Sequence, residues 1–314
     1  MFQPDDVEEI ARAYALGDGA ALTGTVARGE LGQVWQLTTS RGTWAVKTSF
    51  EPLASVDGED AEFQSAAISA GVPAPALVRS VDGAILIDVG GVHVRVYAWV
   101  DVLPPDRDLD PVEVGELMAA IHRVPFDGRR PEDSWYTEPV GAAVWDDLIE
   151  RLAAVGAPFA TDLAALRDEL VAREAVLEPA RALRTCHRDL WADNLRATDT
   201  GGMCVIDWDN CGLADPGQEV AVALFEFAAN DADRARDLYR GYRRCGGPGR
   251  VERPGDFSMA IAQLGHIDEL SCRRWLHPET AASDREHAAA RLTESLAEPL
   301  TLHLIDRLLD AVSG

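Results

Sequence analysis

The feature that most limits how this chain folds is a change of apolar period near residue 101. Before it, short runs rich in Val, Thr and Trp alternate with Gly and Pro punctuation. Beyond Pro104-Pro105, apolar residues recur at helical spacing almost to the end. Period-two runs at 22–26, 34–39, 43–49, 84–89 and 92–100 predict five strands. Ser40-Arg41-Gly42 and Gly90-Gly91 are placed to turn two antiparallel hairpins. Helices are expected at 5–16 and 58–70, the second closed by Gly71 and followed by Pro73 and Pro75. In the remainder, helices are expected at 111–123, 144–155, 161–177, 219–229, 231–244, 257–275 and 284–312, with one strand at 203–206. The expectation is an α+β chain in two lobes. Residues 1–100 would form a five-stranded antiparallel lobe with the helix at 58–70, and residues 101–314 a mostly helical lobe.

Bulk properties narrow the class. With 314 residues, 47% hydrophobic and 26% charged, the chain has ample core for two lobes and an ordinary soluble composition. No apolar run is long enough to cross a bilayer. The start, MFQPDDVEEIARAY, is acidic and amphipathic, unlike a signal peptide, so the expected location is cytoplasmic. Five cysteines, with no C-x-x-C pair, make neither a disulfide framework nor a zinc site. A formal charge of −24 argues against nucleic-acid and anionic-membrane partners and favours attraction of cationic ligands.

Of 29 basic residues one is lysine, Lys47, and the rest are arginine. A single ammonium against that background suggests a task for a compact point charge rather than a planar fork, such as a narrow site beside phosphates. Three other segments share the theme. Residues 27–34 read ARGELGQV, so Gly29, Gly32 and Val34 fit a glycine loop that lets backbone N–H groups approach phosphates. Lys47 follows on the next strand, in AVK. HRDLWADN, at 187–194, matches every fixed position of the kinase catalytic loop H-R-D-L-x-x-x-N. Thirteen residues beyond Asn194, VIDWD delivers Asp207 where D-F-G carries its metal ligand, with Trp208 in place of Phe.

The resemblance to kinases implies a role for each. Lys47 would neutralise the α- and β-phosphates of ATP or GTP, held by a carboxylate from the next helix, Glu62 or its competitor Glu59 one turn earlier. Backbone groups of Ala98 and Val100 would meet the base. Asp189 would orient the acceptor hydroxyl, and Asn194 with Asp207 would bind Mg2+ through hard oxygen atoms. His187 suits a structural hydrogen bond better than a base.

Only seven residues separate Asp207 from Asp215-Pro216, and no A-P-E follows, which leaves no segment for docking a peptide. The chain resembles the aminoglycoside phosphotransferase and choline kinase superfamily instead. The resemblance rests on Glu62 with GVPAP nine residues on, the helix ELMAAIHRVP, HRDLWADN, VIDWD and DPGQEVA. Against the superfamily's H-G-D, I-D-W-E and D-P-x-x-D-L-A patterns, Arg188 replaces Gly, Asp209 replaces Glu and Glu219 replaces the last Asp. None of these changes removes a phosphate, metal or base residue. The implied activity is γ-phosphoryl transfer to a hydroxyl of a small cationic molecule, foremost an aminoglycoside-type antibiotic, which would confer antibiotic resistance. The alternatives are choline, amino sugar, fructosamine or homoserine as acceptor, or a nucleotide-binding module without turnover. Asp231, Asp268 and Glu269 are the candidate carboxylates for acceptor ammonium groups. Monomer and homodimer are both open.

Overall fold

The computed structural model describes residues 2–28, 32–49 and 58–313. In chain order the elements are α1 (Pro4–Ala13), β1 (Ala21–Arg28), β2 (Gly32–Thr39), β3 (Gly42–Ser49), α2 (Glu59–Ser69), β4 (Leu77–Val78), β5 (Ile87–Val89) and β6 (Val92–Ala98). There follow α3 (Pro111–His122), α4 (Ser134–Thr137), α5 (Ala142–Ala154), α6 (Ala160–Glu174), β7 (Arg184–Cys186), β8 (Leu195–Ala197), β9 (Met203–Val205) and β10 (Gly212–Ala214). The last are α7 (Pro216–Ala228), α8 (Ala232–Arg244), α9 (Ser258–Leu276), α10 (Ala282–Ala297) and α11 (Leu302–Val312).

The chain forms two compact units, though not by the single cut expected at residue 101. The first comprises Met1–Asp106, Val124–Gly128 and Ala192–Cys211, and the second Arg107–Arg123, Arg129–Trp191 and Gly212–Gly314.

The first unit holds an antiparallel sheet in the order β1-β2-β3-β6-β4, with β5 also paired to β6. It has six strands where five were expected, because the run at 84–89 pairs only from Ile87 and the two-residue β4 joins the edge. The β2–β3 register, with Thr39 opposite Gly42, leaves Ser40-Arg41 as the turn. Gly90 and Gly91 turn β5 into β6, both at positive φ (61° and 81°), the conformation a two-residue type I′ turn requires. Alternation along the strands sorts the two faces of the sheet. Val46, Val94 and Val96 are buried in one core with Val7, Ile10 and Tyr14 of α1. The intervening residues Lys47 and Arg95, opposite one another across β3 and β6, therefore project from the other face.

The second unit is mostly helical. The packing of α3 on α8 depends on two glycines: a Cβ at Gly115 would meet the Leu238 carbonyl, and one at Gly241 the Val112 carbonyl. Trp145, Leu148, Leu152, Leu163, Leu170 and Leu292 build a core among α5, α6 and α10. The helix expected over 284–312 is broken into α10 and α11. Glu298, preceding Pro299, takes an extended φ of −129°, and the Thr301 side chain accepts from Leu304 N to cap α11. Three short strands, β7, β8 and β10, were not expected. They pair as β7–β10 in the second unit and β8–β9 in the first.

Candidate active site

In the first unit, the β8–β9 hairpin brings the proposed metal ligands together. Asn194 precedes β8 and Asp207 follows β9, and Ile206 N–H donates to the Asn194 carbonyl at 2.9 Å. Asp207 is left-handed (φ 57°, ψ 68°), a costly conformation for a residue with a Cβ, and opens the turn 208–210. Trp208 fixes that turn. Its Nε1 donates to the Val205 carbonyl at 3.0 Å, and its ring packs edge-on to Phe63 of α2.

Lys47 Nζ lies 2.6 Å from Asp207 Oδ1 and 2.8 Å from Asp209 Oδ2. Burial alone would depress the ammonium's pKa, but the two carboxylates outweigh it and hold Lys47 charged well above the usual lysine range. The lysine's partner thus corrects the sequence expectation. Among the described residues Lys47 pairs with Asp207 and Asp209, while Glu62 faces solvent and Glu59 is buried. Asp60 of α2 is turned inward onto a different cation, Arg95.

Gly32 begins β2, whereas Gly29 lies outside the described residues. Ala98 ends β6 with its N–H donated to the Ala76 carbonyl at 2.8 Å, so only its carbonyl remains to meet a base. Val100 lies just beyond the strand.

In the second unit, β7 runs directly into His187, Arg188 and Asp189. Arg188 is fixed on both sides of its main chain: its N–H donates to Glu219 Oε1, and its carbonyl accepts from Gln263 Nε2 at 2.8 Å. Its φ of 65° is left-handed. Its buried guanidinium lies 4.6 Å from the centre of the Tyr136 ring and donates to the Pro131 carbonyl at 3.0 Å. Glu219 in turn meets His122 Nε2 at 2.6 Å, and His122 Nδ1 meets the Tyr242 hydroxyl at 2.9 Å. The Tyr242 oxygen also accepts from Gly249 N–H at 2.8 Å. One arrangement satisfies every member: Tyr242 donates to Nδ1 and Nε2–H donates to Glu219. Burial pushes the Glu219 carboxyl up, yet its bonds to His122 and the Arg188 N–H outweigh this and hold it below the usual range. A satisfied buried network of this kind rigidifies the residue preceding Asp189. Cys186 lies close enough to His122 and Glu219 to make a three-residue metal cluster. Its thiol instead approaches the Ala214 carbonyl, 3.7 Å away.

The three acceptor candidates do not converge. Asp231 caps α8, accepting from the N–H groups of Asp233 (2.9 Å) and Arg234 (3.1 Å). Asp268 is buried on α9 and accepts from Ser295 Oγ at 3.1 Å. Glu269 keeps a partly exposed carboxylate, shared between Arg273 and His266, and Trp135 of α4 stacks on the His266 ring.

Asp268 has a consequence for stability instead. Burial, offset in part by Arg173, pushes its carboxyl up to about 6. Because the folded value exceeds the unfolded one, the protonated form favours the fold. That contribution is complete below the unfolded value and is lost as pH rises through about 6. An Asp268→Asn variant, neutral throughout, is expected to melt higher than wild type at pH 7.5, by about 1–3 kcal/mol of stability. The gain should shrink toward pH 4. Thermal midpoints across pH 4–8 check this, and a pH-independent difference would contradict it.

The family model described as the phosphotransferase enzyme family matches residues 24–253, which takes in Lys47, HRDLWADN, Asp207 and Glu219. The chain belongs to this family. This phosphotransferase is also similar in fold to solved structures. A spectinomycin phosphotransferase in complex with ADP and spectinomycin is 11% identical with a TM-score of 0.71, over 98% of this chain and 99% of that one. An amicoumacin kinase in complex with AMP-PNP, Ca2+ and Ami is 14% identical at 0.63, over 96% of each chain. A choline kinase from Cryptosporidium parvum is 14% identical at 0.55, over 99% of each chain. No curated protein matches the sequence. Among the described residues, no helix of the phosphotransferase is long and apolar enough to cross a membrane.

Proposed function

We propose that this phosphotransferase moves the γ-phosphoryl group of ATP or GTP to a hydroxyl of a small, cationic acceptor, foremost an antibiotic of the aminoglycoside type. The observation that carries the reading is the meeting of Lys47 with Asp207, 160 positions apart, on a turn that the β8–β9 hairpin ties to Asn194. The donor set fits a magnesium ion. A carboxylate and an amide oxygen are hard ligands, and the Asp207 side chain is 43% exposed, which leaves room for the water molecules magnesium retains. When bound, that ion would neutralise charge on the β- and γ-phosphates.

Lys47 would move from its carboxylates onto the α/β-phosphates, a narrow approach that suits an ammonium better than a guanidinium. Gly29 and Gly32 would offer backbone N–H groups to the phosphates, and the Ala98 carbonyl and Val100 the base edge. Asp189, on a main chain fixed by Glu219 and Gln263, would align the acceptor hydroxyl for in-line attack and take its proton. The loose transition state makes alignment the larger contribution.

A cationic acceptor is supported by the charge of −24 and by Glu269 beside the Trp135–His266 stack, an anion next to an aromatic face. The fold neighbours include enzymes named for spectinomycin, amicoumacin and choline, all small molecules. Nucleotide turnover measured against aminoglycosides, choline and amino sugars tests the proposal, together with antibiotic survival of cells expressing the chain. At least one cationic acceptor should stimulate ADP release in a magnesium-dependent way. Stimulation only by neutral acceptors, or none at all, would refute the acceptor class.

A further inference from the structure

Lys47 and Arg95 face each other across β3 and β6, two cations on one face of a sheet at a directly opposed pair. Like charges so placed repel unless anions lie between them. The carboxylate of Asp209 does so, with Oδ2 2.8 Å from Lys47 Nζ and Oδ1 3.4 Å from Arg95 Nη1. Arg95 has a second partner. Its Nη1 pairs with Asp60 Oδ2 and its Nη2 lies 3.5 Å from Asp60 Oδ1, with both side chains buried. Asp60 stands in the first turn of α2, Asp209 on the turn that also carries Asp207. The helix is therefore linked to the metal-binding turn through a guanidinium, and Lys47 receives that link second-hand through Asp209.

We propose that Arg95 is a positioning residue of the phosphotransfer site: it joins Asp60 of α2 to Asp209, and so sets where Asp207 and Lys47 stand to receive magnesium nucleotide. The inference rests on the nucleotide-binding reading above and adds to it a residue that makes no contact with substrate. Arginine suits the task because its fork has separate N–H groups for two carboxylates on different elements, which an ammonium on a flexible stem serves poorly. It also explains how α2 can contribute no carboxylate to Lys47 and still be coupled to the site: the helix acts on the turn rather than on the lysine.

The competing account is that Arg95–Asp60 only holds the fold. The two accounts part in a double variant. Replacing a buried ion pair by apolar side chains of similar size is often neutral or stabilising, whereas breaking it on one side leaves an uncompensated charge. Arg95→Met with Asp60→Leu is therefore expected to recover the thermal midpoint lost by Arg95→Met alone. If Arg95 positions the turn, the double variant still binds MgATP about tenfold more weakly by calorimetry and turns over about tenfold more slowly, one lost interaction of this kind being worth roughly 1.4 kcal/mol. It also needs more Mg2+ for half-maximal rate. Arg95→Lys, which keeps the charge and not the fork, decides the matter should the double variant fail to fold: it is expected to melt like wild type and show the same weakening. Wild-type MgATP affinity and turnover in the double variant, or in Arg95→Lys, would overturn the inference. Failure of the wild-type chain itself to bind MgATP would sink the nucleotide reading, and this one with it.

Discussion

An Asp189→Ala variant is expected to lose phosphotransfer by about a thousandfold while keeping its fold and its affinity for MgATP. The separation of effects follows from where the chain is held. The main chain of Arg188 is fixed by Glu219 and Gln263, and the network behind Glu219 runs through His122 to Tyr242, bonds that are made without the Asp189 carboxylate. Lys47, Asp207 and Asn194 are likewise set by β3 and the β8–β9 hairpin. Steady-state ADP release with a responsive acceptor measures the first quantity and calorimetry with MgATP the second. Equal loss of both would mean that Asp189 supports nucleotide binding rather than hydroxyl alignment. A variant that turns over as fast as wild type would contradict the role given to Asp189. A wild-type chain that binds MgATP with no acceptor-stimulated release would favour a nucleotide-binding module without turnover.

Lys47→Met should cost about two to three orders of magnitude in turnover, the usual effect of removing one preorganised charge from a transition state, and should also weaken MgATP binding. In this variant Asp207 and Asp209 lose the cation they share, while Arg95 stays beside Asp209. Lys47→Arg is expected to fall in between, since it restores charge but brings a broader head group. Because the chain has a single lysine, an amine-acylating reagent has one side-chain target besides the terminal amine. Slower acylation of Lys47 with MgATP present, read by mass spectrometry after long exposure because the carboxylates keep the amine charged, would show that nucleotide reaches the ammonium. Modification at the same rate with and without MgATP would contradict the role given to it.

Much of this arrangement is legible in the sequence. The hairpin at Gly90-Gly91, the helix closed by Gly71 and the order of lysine, HRDLWADN and VIDWD are local signals, and local signals survive in a sequence. The strands β7, β8 and β10 were missed because three residues are too few to display a period, and their pairing lies in backbone bonds that carry no side-chain signature. Prolonging the last helix through Glu298-Pro299 overlooked a breaker followed by a capping Thr301. The choice of Glu62 failed on rotation about the helix axis. Phe63 and Ala67 mark the buried stripe of α2, and Asp60 stands three residues before Phe63 on that stripe, whereas Glu62 faces away. Asp268 carried a similar warning, lying between Gly265 and Cys272 on the buried side of α9, and Asp231 had the position of a helix cap. The partnership of Lys47 with Asp209 had no local signal, because it depends on a sheet register and a distant turn.

The guanidinium of Arg188 also couples two positions across the short β7–β10 pair. Gly212 pairs opposite Cys186, and a Cβ there would run into the Arg188 guanidinium. The H-G-D pattern that this stretch resembles has glycine at the position of Arg188, a residue that accepts such a φ without strain. An arginine whose guanidinium lies here is fitted by a residue 212 that lacks a side chain, whereas a side chain at 212 would have to push that guanidinium aside. Filling position 212 would thus cost the guanidinium its place beside Tyr136, while a glycine at 188 would empty that interior and relax the main chain.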